Sequence, residues 1–202
     1  MSHFTEEFNG DGYIVKEVLS LKNKYDIECL IETGTYIGTT SSWAADNFKE
    51  VYSIESVEEY YNTAYSKHIK KNLYFFLGNS VDILEKIIQK VTNKKCIFYL
   101  DAHWGDGKTP TPHELKLIKE MTIKPVIIIH DFYVPGKSHP EGLHNQGHPG
   151  WGWDYYPDFK YQWEFIENLI IDVYGENNFE YYYNTEVEGA RRGVIYIIPK
   201  NN

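Results

Sequence analysis

Short apolar runs and longer periodic stretches alternate along this chain. β-Branched and aromatic runs at 27–32, 51–55, 72–77, 96–101 and 125–131 predict strands. Stretches with helical spacing at 13–23, 38–48, 57–69, 80–91, 112–121 and 158–174 predict helices. The clearest follows Ser80, where Val81, Leu84, Ile87, Ile88 and Val91 fall on one face. The strands are nearly continuous apolar runs, as in Cys96-Ile97-Phe98-Tyr99-Leu100, which fits burial on both faces. Strand–helix alternation of this kind implies a parallel sheet covered by helices on both sides. The C-terminus breaks the pattern. Two strands at 179–185 and 193–199 flank a short polar turn containing Arg191 and Arg192, read as solvated residues or as cations that reach an anionic acceptor from the sheet edge, and form an antiparallel hairpin at the sheet edge. One α/β domain over 1–202 is expected, with seven strands, mostly parallel.

The chain has 202 residues, enough for one full core. Its net charge of -9, without a basic run, disfavours a nucleic-acid partner. The N-terminus is polar and acidic with no apolar signal core, and no apolar run approaches a membrane span. The two cysteines, Cys29 and Cys96, sit inside predicted strands and read as core thiols in a reducing, cytoplasmic compartment. The irregular stretch 133–158 is rich in Gly, Pro, His, Trp and Tyr. A loop that long in a compact domain is usually functional. It is expected to form a lid whose Trp151, Trp153, Tyr155 and Tyr156 either stack on an acceptor ring or pack on one another. His139, His144 and His148 in that loop read as solvated histidines.

In a parallel sheet, ligands bind beyond the carboxyl ends of the strands. Each of the first five predicted strands ends in a suggestive group. The first runs into ETGTYIGTT at 32–40, an acid followed by spaced glycines and a helix start. Glycine lets the backbone approach a ligand closely, and a helix N-terminus offers free N–H groups. The second ends in Glu55, roughly 20 residues on, where a ribose-binding carboxylate belongs. The third ends in Gly78-Asn79-Ser80, the fourth in Asp101-Ala102-His103-Trp104, and the fifth in His130-Asp131. Tyr36 stands where a dinucleotide fold wants its second glycine, which argues against a pyrophosphate.

The stretch 32–40 resembles the first motif of class I S-adenosylmethionine-dependent methyltransferases. More narrowly, it is similar to the E-x-G-x-(aromatic)-x-G-x-(Ser/Thr) form of the cation-dependent O-methyltransferases of the catechol and caffeoyl-CoA type. GNSVDIL at 78–84 resembles that group's adenine-side turn, LDAHW at 100–104 its Leu-Asp-His-Trp motif, and IHDFYVPG at 129–136 its second metal-ligand segment. Sugar O-methyltransferases of antibiotic biosynthesis share the metal layout. The resemblance implies a Rossmann-like methyltransferase fold with S-adenosylmethionine as cofactor. Glu32, Gly34, Tyr36, Gly38 and Thr40 would surround its methionine part, Glu55 would take the ribose hydroxyls, Asn79 and Ser80 would border the adenine, and Asp101 would adjoin the cofactor. Two departures stand out. Ala102 is an extra residue between Asp101 and His103, and Gly105 occupies the position of the family's lysine base. His130 stands where an aspartate ligand is expected, with Asp131 beside it.

The chemistry that follows is O-methylation of a small hydroxylated acceptor, a carbohydrate or an aromatic. A divalent cation, Mg²⁺ or Mn²⁺, would be held by Asp101, His130 and Asp131 and would acidify the acceptor hydroxyl. His103 is the candidate general base, because an unperturbed imidazole titrates near neutrality, with Asp101 beside it in the catalytic pair. Glu114 begins a helix and is expected to serve its N-terminal dipole. Two other readings stay open at this point: a nicotinamide-dependent oxidoreductase, and a non-catalytic carbohydrate-binding protein on the same fold. A homo-oligomer is also open.

Overall fold

The structure is a computed structural model that describes residues 6–103, 108–138, 151, 161–189 and 192–200. Its centre is one seven-stranded sheet in the order β3-β2-β1-β4-β5-β7-β6. The strands are β1 (Cys29–Thr33), β2 (Glu50–Glu55), β3 (Leu73–Leu77), β4 (Cys96–Leu100), β5 (Val126–His130), β6 (Phe179–Tyr183) and β7 (Val194–Pro199). The first five are mutually parallel; β7 runs antiparallel to β5, and β6 antiparallel to β7. The predicted hairpin is present, with β7 paired inside the sheet and β6 on its edge.

The side-chain period of two explains the continuous apolar runs. Alternate residues of each strand face opposite cores. Cys29, Ile31, Phe98, Leu100, Ile127 and Ile129 face one core with α4 (Ser80–Val91), α5 (Thr111–Ile118) and α6 (Trp163–Tyr174). Leu30, Ile97, Tyr99, Val126 and Ile128 face the other, with α1 (Gly12–Tyr25), α2 (Thr39–Asn47) and a short 3₁₀ turn at Glu7–Gly10. The remaining helix, α3 (Glu58–Lys67), packs on β2 and β3. Cys29 and Cys96 are register partners on β1 and β4, buried and unbridged.

Local chemistry fixes the ends. Asp11 caps α1, accepting from the N–H groups of Tyr13 (2.9 Å) and Ile14 (3.3 Å). Asn79 caps α4 by accepting from Val81 N–H at 2.9 Å. Four of the five residues of the predicted apolar stripe of α4, Leu84, Ile87, Ile88 and Val91, are buried, and Val81 in its first turn is half-buried. The helix expected from 158 begins only at Trp163. Tyr161 is drawn out of any helix because its ring is fully buried against Phe132, its hydroxyl meets Thr111, and its carbonyl accepts from Tyr133 N–H. Among the described residues, no helix is long and apolar enough to cross a membrane.

Candidate active site

The carboxyl ends of β1, β2, β3, β4 and β5 open into one cavity of about 410 Å³. Small-molecule sites commonly span about 300–1,000 Å³. At one end stand Gly34, Tyr36, Glu55, Tyr60, Asn79 and Ser80; at the other, Asn9, Asp101, His103, His130, Asp131 and Arg192.

The glycine turn after β1 is shaped by close approach. Gly34 has φ +88, and a Cβ there would lie 2.5 Å from the carbonyl oxygen of Asp101. Only glycine lets β1 pass so near the end of β4. Gly34→Ala is expected to cost roughly 1–3 kcal/mol from backbone strain alone, with a further cost from the clash. A melting temperature within a degree of wild type would contradict this. Tyr36 also has positive φ (51), so its backbone N–H turns toward β2 and donates to Glu55 Oε2 at 2.7 Å. Val57 N–H donates to Oε1 at 2.8 Å. Each carboxylate oxygen has two acceptor sites, so the rigidly held Glu55 can still accept from two vicinal hydroxyls. Gly38 (φ 83) caps α2 and lies against α3, where a Cβ would meet Ala64 at 2.9 Å.

At the other end, β4 and β5 deliver their acids side by side. His130 Nδ1 donates to Asp101 Oδ1 at 2.8 Å. His103 Nε2 lies 3.0 Å from Asp131 Oδ2 and 3.6 Å from Asp101 Oδ1. Arg192 Nε approaches Asp131 Oδ1 at 3.2 Å. Asp131 adopts positive φ (56), a strained conformation for a residue other than glycine and one that clusters at functional sites.

These contacts set the charges. Burial opposes ionisation of Asp131, but His130, Arg192 and His103 outweigh it and hold the carboxyl well below its ordinary range. Burial likewise opposes ionisation of Asp101, yet His130 and His103 hold it low. Burial disfavours a charged His103, but Asp101 and Asp131 push it up to about 10. The expected near-neutral imidazole is therefore an imidazolium at pH 7, and a proton donor to Asp131 in its resting form. Asp101, His103 and Asp131 bring ligand atoms within 4.8 Å of one another. Asp131 Oδ1 is buried and receives no hydrogen bond. With His103 deprotonated, that mixed oxygen and imidazole set fits a divalent ion such as Mn²⁺ or Mg²⁺. The expected trio contained His130 instead, whose Nδ1 is committed to Asp101.

Two further acids lie behind the wall. Glu32 is buried and accepts from the hydroxyls of Ser41 and Ser53 (2.6 Å to Ser53). Burial pushes it up to about 8 despite those donors. Glu114 is fully buried, and neither carboxylate oxygen has a well-formed hydrogen bond. Burial pushes it up to about 7, although the nearby hydroxyls of Ser80 and Thr33 favour its charged form.

No family model matches the chain, and no curated protein matches it. Solved structures do. An O-methyltransferase from Bacillus cereus, in complex with SAH, aligns at a TM-score of 0.60 and 17% identity over 94% of this chain and 81% of that one. A Staphylococcus aureus protein described as a caffeoyl-CoA O-methyltransferase aligns at 0.58 and 14% identity, over 94% and 84%. A SAM-dependent methyltransferase from Anabaena variabilis aligns at 0.50 and 11% identity, over 90% and 83%. This chain has the Rossmann-like methyltransferase fold.

Within the methyltransferase fold, the residues singled out in the sequence divide. Gly34, Tyr36, Glu55, Asn79, Ser80, Asp101, His103, His130 and Asp131 share the cavity. Glu32, Gly38 and Thr40 stand behind it. Thr40 Oγ1 accepts from Phe8 N–H at 2.8 Å, so it anchors the N-terminal turn. Arg192 corrects an expectation: it is 2% exposed, not a solvated turn residue. Glu114 does lie in the first turn of α5, as expected of an acid at a helix start, and it is fully buried there. Asn9 was not anticipated, and nothing in its local sequence marks it. Trp151 is buried, with Lys137 Nζ 5.3 Å from its ring centroid. Trp104, Gly105, His139, His144, His148, Trp153, Tyr155, Tyr156 and Arg191 lie outside the described residues, as does most of the expected lid.

Proposed function

We propose that the protein is an S-adenosylmethionine-dependent methyltransferase that O-methylates a small hydroxylated acceptor, a sugar or an aromatic, with Mg²⁺ or Mn²⁺ at Asp101, His103 and Asp131. The observation that carries this reading is the single cavity. It joins a doubly anchored Glu55, suited to a ribose diol, to a cluster of two low-pKa carboxylates suited to an acceptor hydroxyl. The fold-level likeness to methyltransferases supports the same reading.

The roles follow from position. Glu55 holds the ribose end; Asn79 and Ser80 border the base; Gly34 lets the cofactor's chain pass close to the backbone. Asp101 and Asp131 face the acceptor oxygen and accept hydrogen bonds from it. His130 orients Asp101 through Nδ1. His103 Nε2 holds a proton between the two carboxylates, and can accept the acceptor's proton only after that one has left. A divalent ion at Asp101, His103 and Asp131 would require His103 Nε2 to have lost its proton, and would then supply Lewis acidity to the hydroxyl and the counter-charge that the imidazolium supplies without it.

Isothermal titration calorimetry with S-adenosylhomocysteine (SAH) tests the reading; no heat of binding would sink it. Glu55→Ala is expected to weaken SAH by about 10–100-fold, since hydrogen bonds to a charged group are worth about 1.5–3 kcal/mol. Unchanged affinity in that variant would remove the ribose role.

A further inference from the structure

We infer that the outer edge of β6, with the acidic face of α6 beside it, is a docking site for an extended, basic segment of a partner protein, which adds to the sheet as a further strand. None of the residues that form this surface lines the cavity.

The edge is open. β6 is the last strand of the sheet and pairs only with β7 among the described residues. In an antiparallel ladder, alternate residues turn both backbone groups toward the partner strand. Asn184 N–H donates to Val194 O at 3.0 Å, and Lys200 N–H to Asn178 O at 2.9 Å, so the even-numbered residues face β7. The backbone groups of Phe179, Tyr181 and Tyr183 therefore point outward. Proteins usually blunt such an edge with charge, proline or a bulge. Here all three outward positions are aromatic, and the register with β7 is unbroken.

The side chains beside the edge set the chemistry of the partner. By the period of two, Phe179, Tyr181 and Tyr183 share the face that α6 covers. Trp163 stacks on Tyr181 with ring centroids 3.8 Å apart, and Tyr181 is still 40% exposed. Glu164 and Glu167 are exposed on α6 and form no ion pair among the described residues. Burial, then Glu167 and Glu164, push the Tyr181 phenol up, so both carboxylates act on that ring. Between Lys160 and Arg191 the sequence has seven acidic residues and no lysine, arginine or histidine, and this stretch supplies most of the net charge of -9. A lysine or arginine arriving here meets unpaired carboxylates and an exposed aromatic ring. An acidic segment or a nucleic acid is repelled. The opposite edge, β3, is apolar too, but Lys70 and Lys71 lead into it and disfavour a basic partner. In strand addition, main-chain hydrogen bonds give affinity and side chains give selectivity.

Calorimetry and amide NMR on the full chain test this with blocked heptapeptides. One alternates lysine with valine; a second has glutamate for each lysine; a third keeps the lysines but is N-methylated along its backbone. The lysine peptide is expected to bind ~10-fold or more tightly than either of the others. Its binding should weaken as ionic strength rises. The amides of Phe179, Tyr181 and Tyr183 should shift during the titration. The double variant Glu164→Gln, Glu167→Gln should cut the preference for lysine over glutamate to about threefold or less. No binding of the lysine peptide, equal binding of the glutamate or N-methylated peptide, shifts confined to β3, or an unaltered preference in the double variant would overturn the proposal. Shifts of the β6 amides with protein concentration alone would assign the edge to a second copy of the chain and overturn it too. The comparison of the three peptides on the wild-type chain stands even if the double variant fails to fold.

Discussion

Asp101→Ala is expected to lower methyl transfer by about 10²–10⁴-fold, the range lost when a positioned catalytic group is removed. Three contacts meet at that carboxyl. It accepts from His130 Nδ1, faces His103, and lies across the cavity end from Asp131. Without it, one of the two carboxylates proposed to face the acceptor oxygen is gone, and so is the oxygen that accepts from His130. Asp101→Asn separates these effects, because the amide can still accept from His130 while its charge is lost. Its activity should fall nearly as far as that of the alanine variant if charge is what matters. SAH affinity should change far less in both, since the proposed cofactor end is built around Glu55 and Gly34. The readout is SAH released per unit time across a panel of hydroxylated acceptors, with SAH affinity measured in parallel. Retained turnover in Asp101→Ala would remove this cluster from the mechanism.

The positions of these acids were legible because Asp101 follows its apolar run directly and Asp131 follows its own after His130. An acid after CIFYL or VIII can only sit at the carboxyl end of a buried strand, where parallel sheets place ligands. Glu55 and the glycine turn were legible for the same reason, and their spacing suggested the ribose role proposed for Glu55. What the sequence did not reveal depends on which groups converge in space. His103 looked like a neutral base because its charge is set by carboxylates from two strand ends, one of them 28 residues away. Arg192 looked solvated because its burial depends on β7 pairing inside the sheet, with its first residue opposite His130. Polar turn composition carries no trace of that. Glu114 matched the pattern of an acid at a helix start, and that pattern is present. The same position also faces the core between α4 and β1, which the helical period shows only through its buried neighbours Leu115 and Ile118.

The two hidden acids make stability depend on pH, with the direction set by their neutral forms. Burial holds Glu114 up at about 7 and Glu32 at about 8, against an ordinary value of 4.5. Below 4.5 both folded and unfolded chains keep these protons, and neither group affects stability. As pH rises past 4.5 the unfolded chain releases them while the folded chain does not, so unfolding becomes easier. The loss is complete once pH exceeds the folded values. A rise from 4.5 to about 7 corresponds to roughly 3 kcal/mol, and to about 8 roughly 5 kcal/mol, as upper limits. His103 acts in the same direction: its charged form contributes stability below its ordinary 6.5, lost as pH rises through about 10. Asp101 and Asp131 act oppositely, contributing stability above the ordinary aspartate value of 3.8 that is lost as pH falls through their depressed values. The fold should therefore be most stable in mildly acidic solution. Glu114→Gln isolates one of these groups, because an amide has the shape of the neutral acid and cannot ionise. At pH 5 the variant and wild type should differ little from their intrinsic offset. At pH 8.5 the variant should gain up to about 3 kcal/mol on wild type. Urea unfolding of both proteins at the two pH values measures the difference. An offset that stays constant between pH 5 and 8.5 would mean that Glu114 is not held neutral behind the site, and that Ser80 and Thr33 stabilise a buried carboxylate there instead.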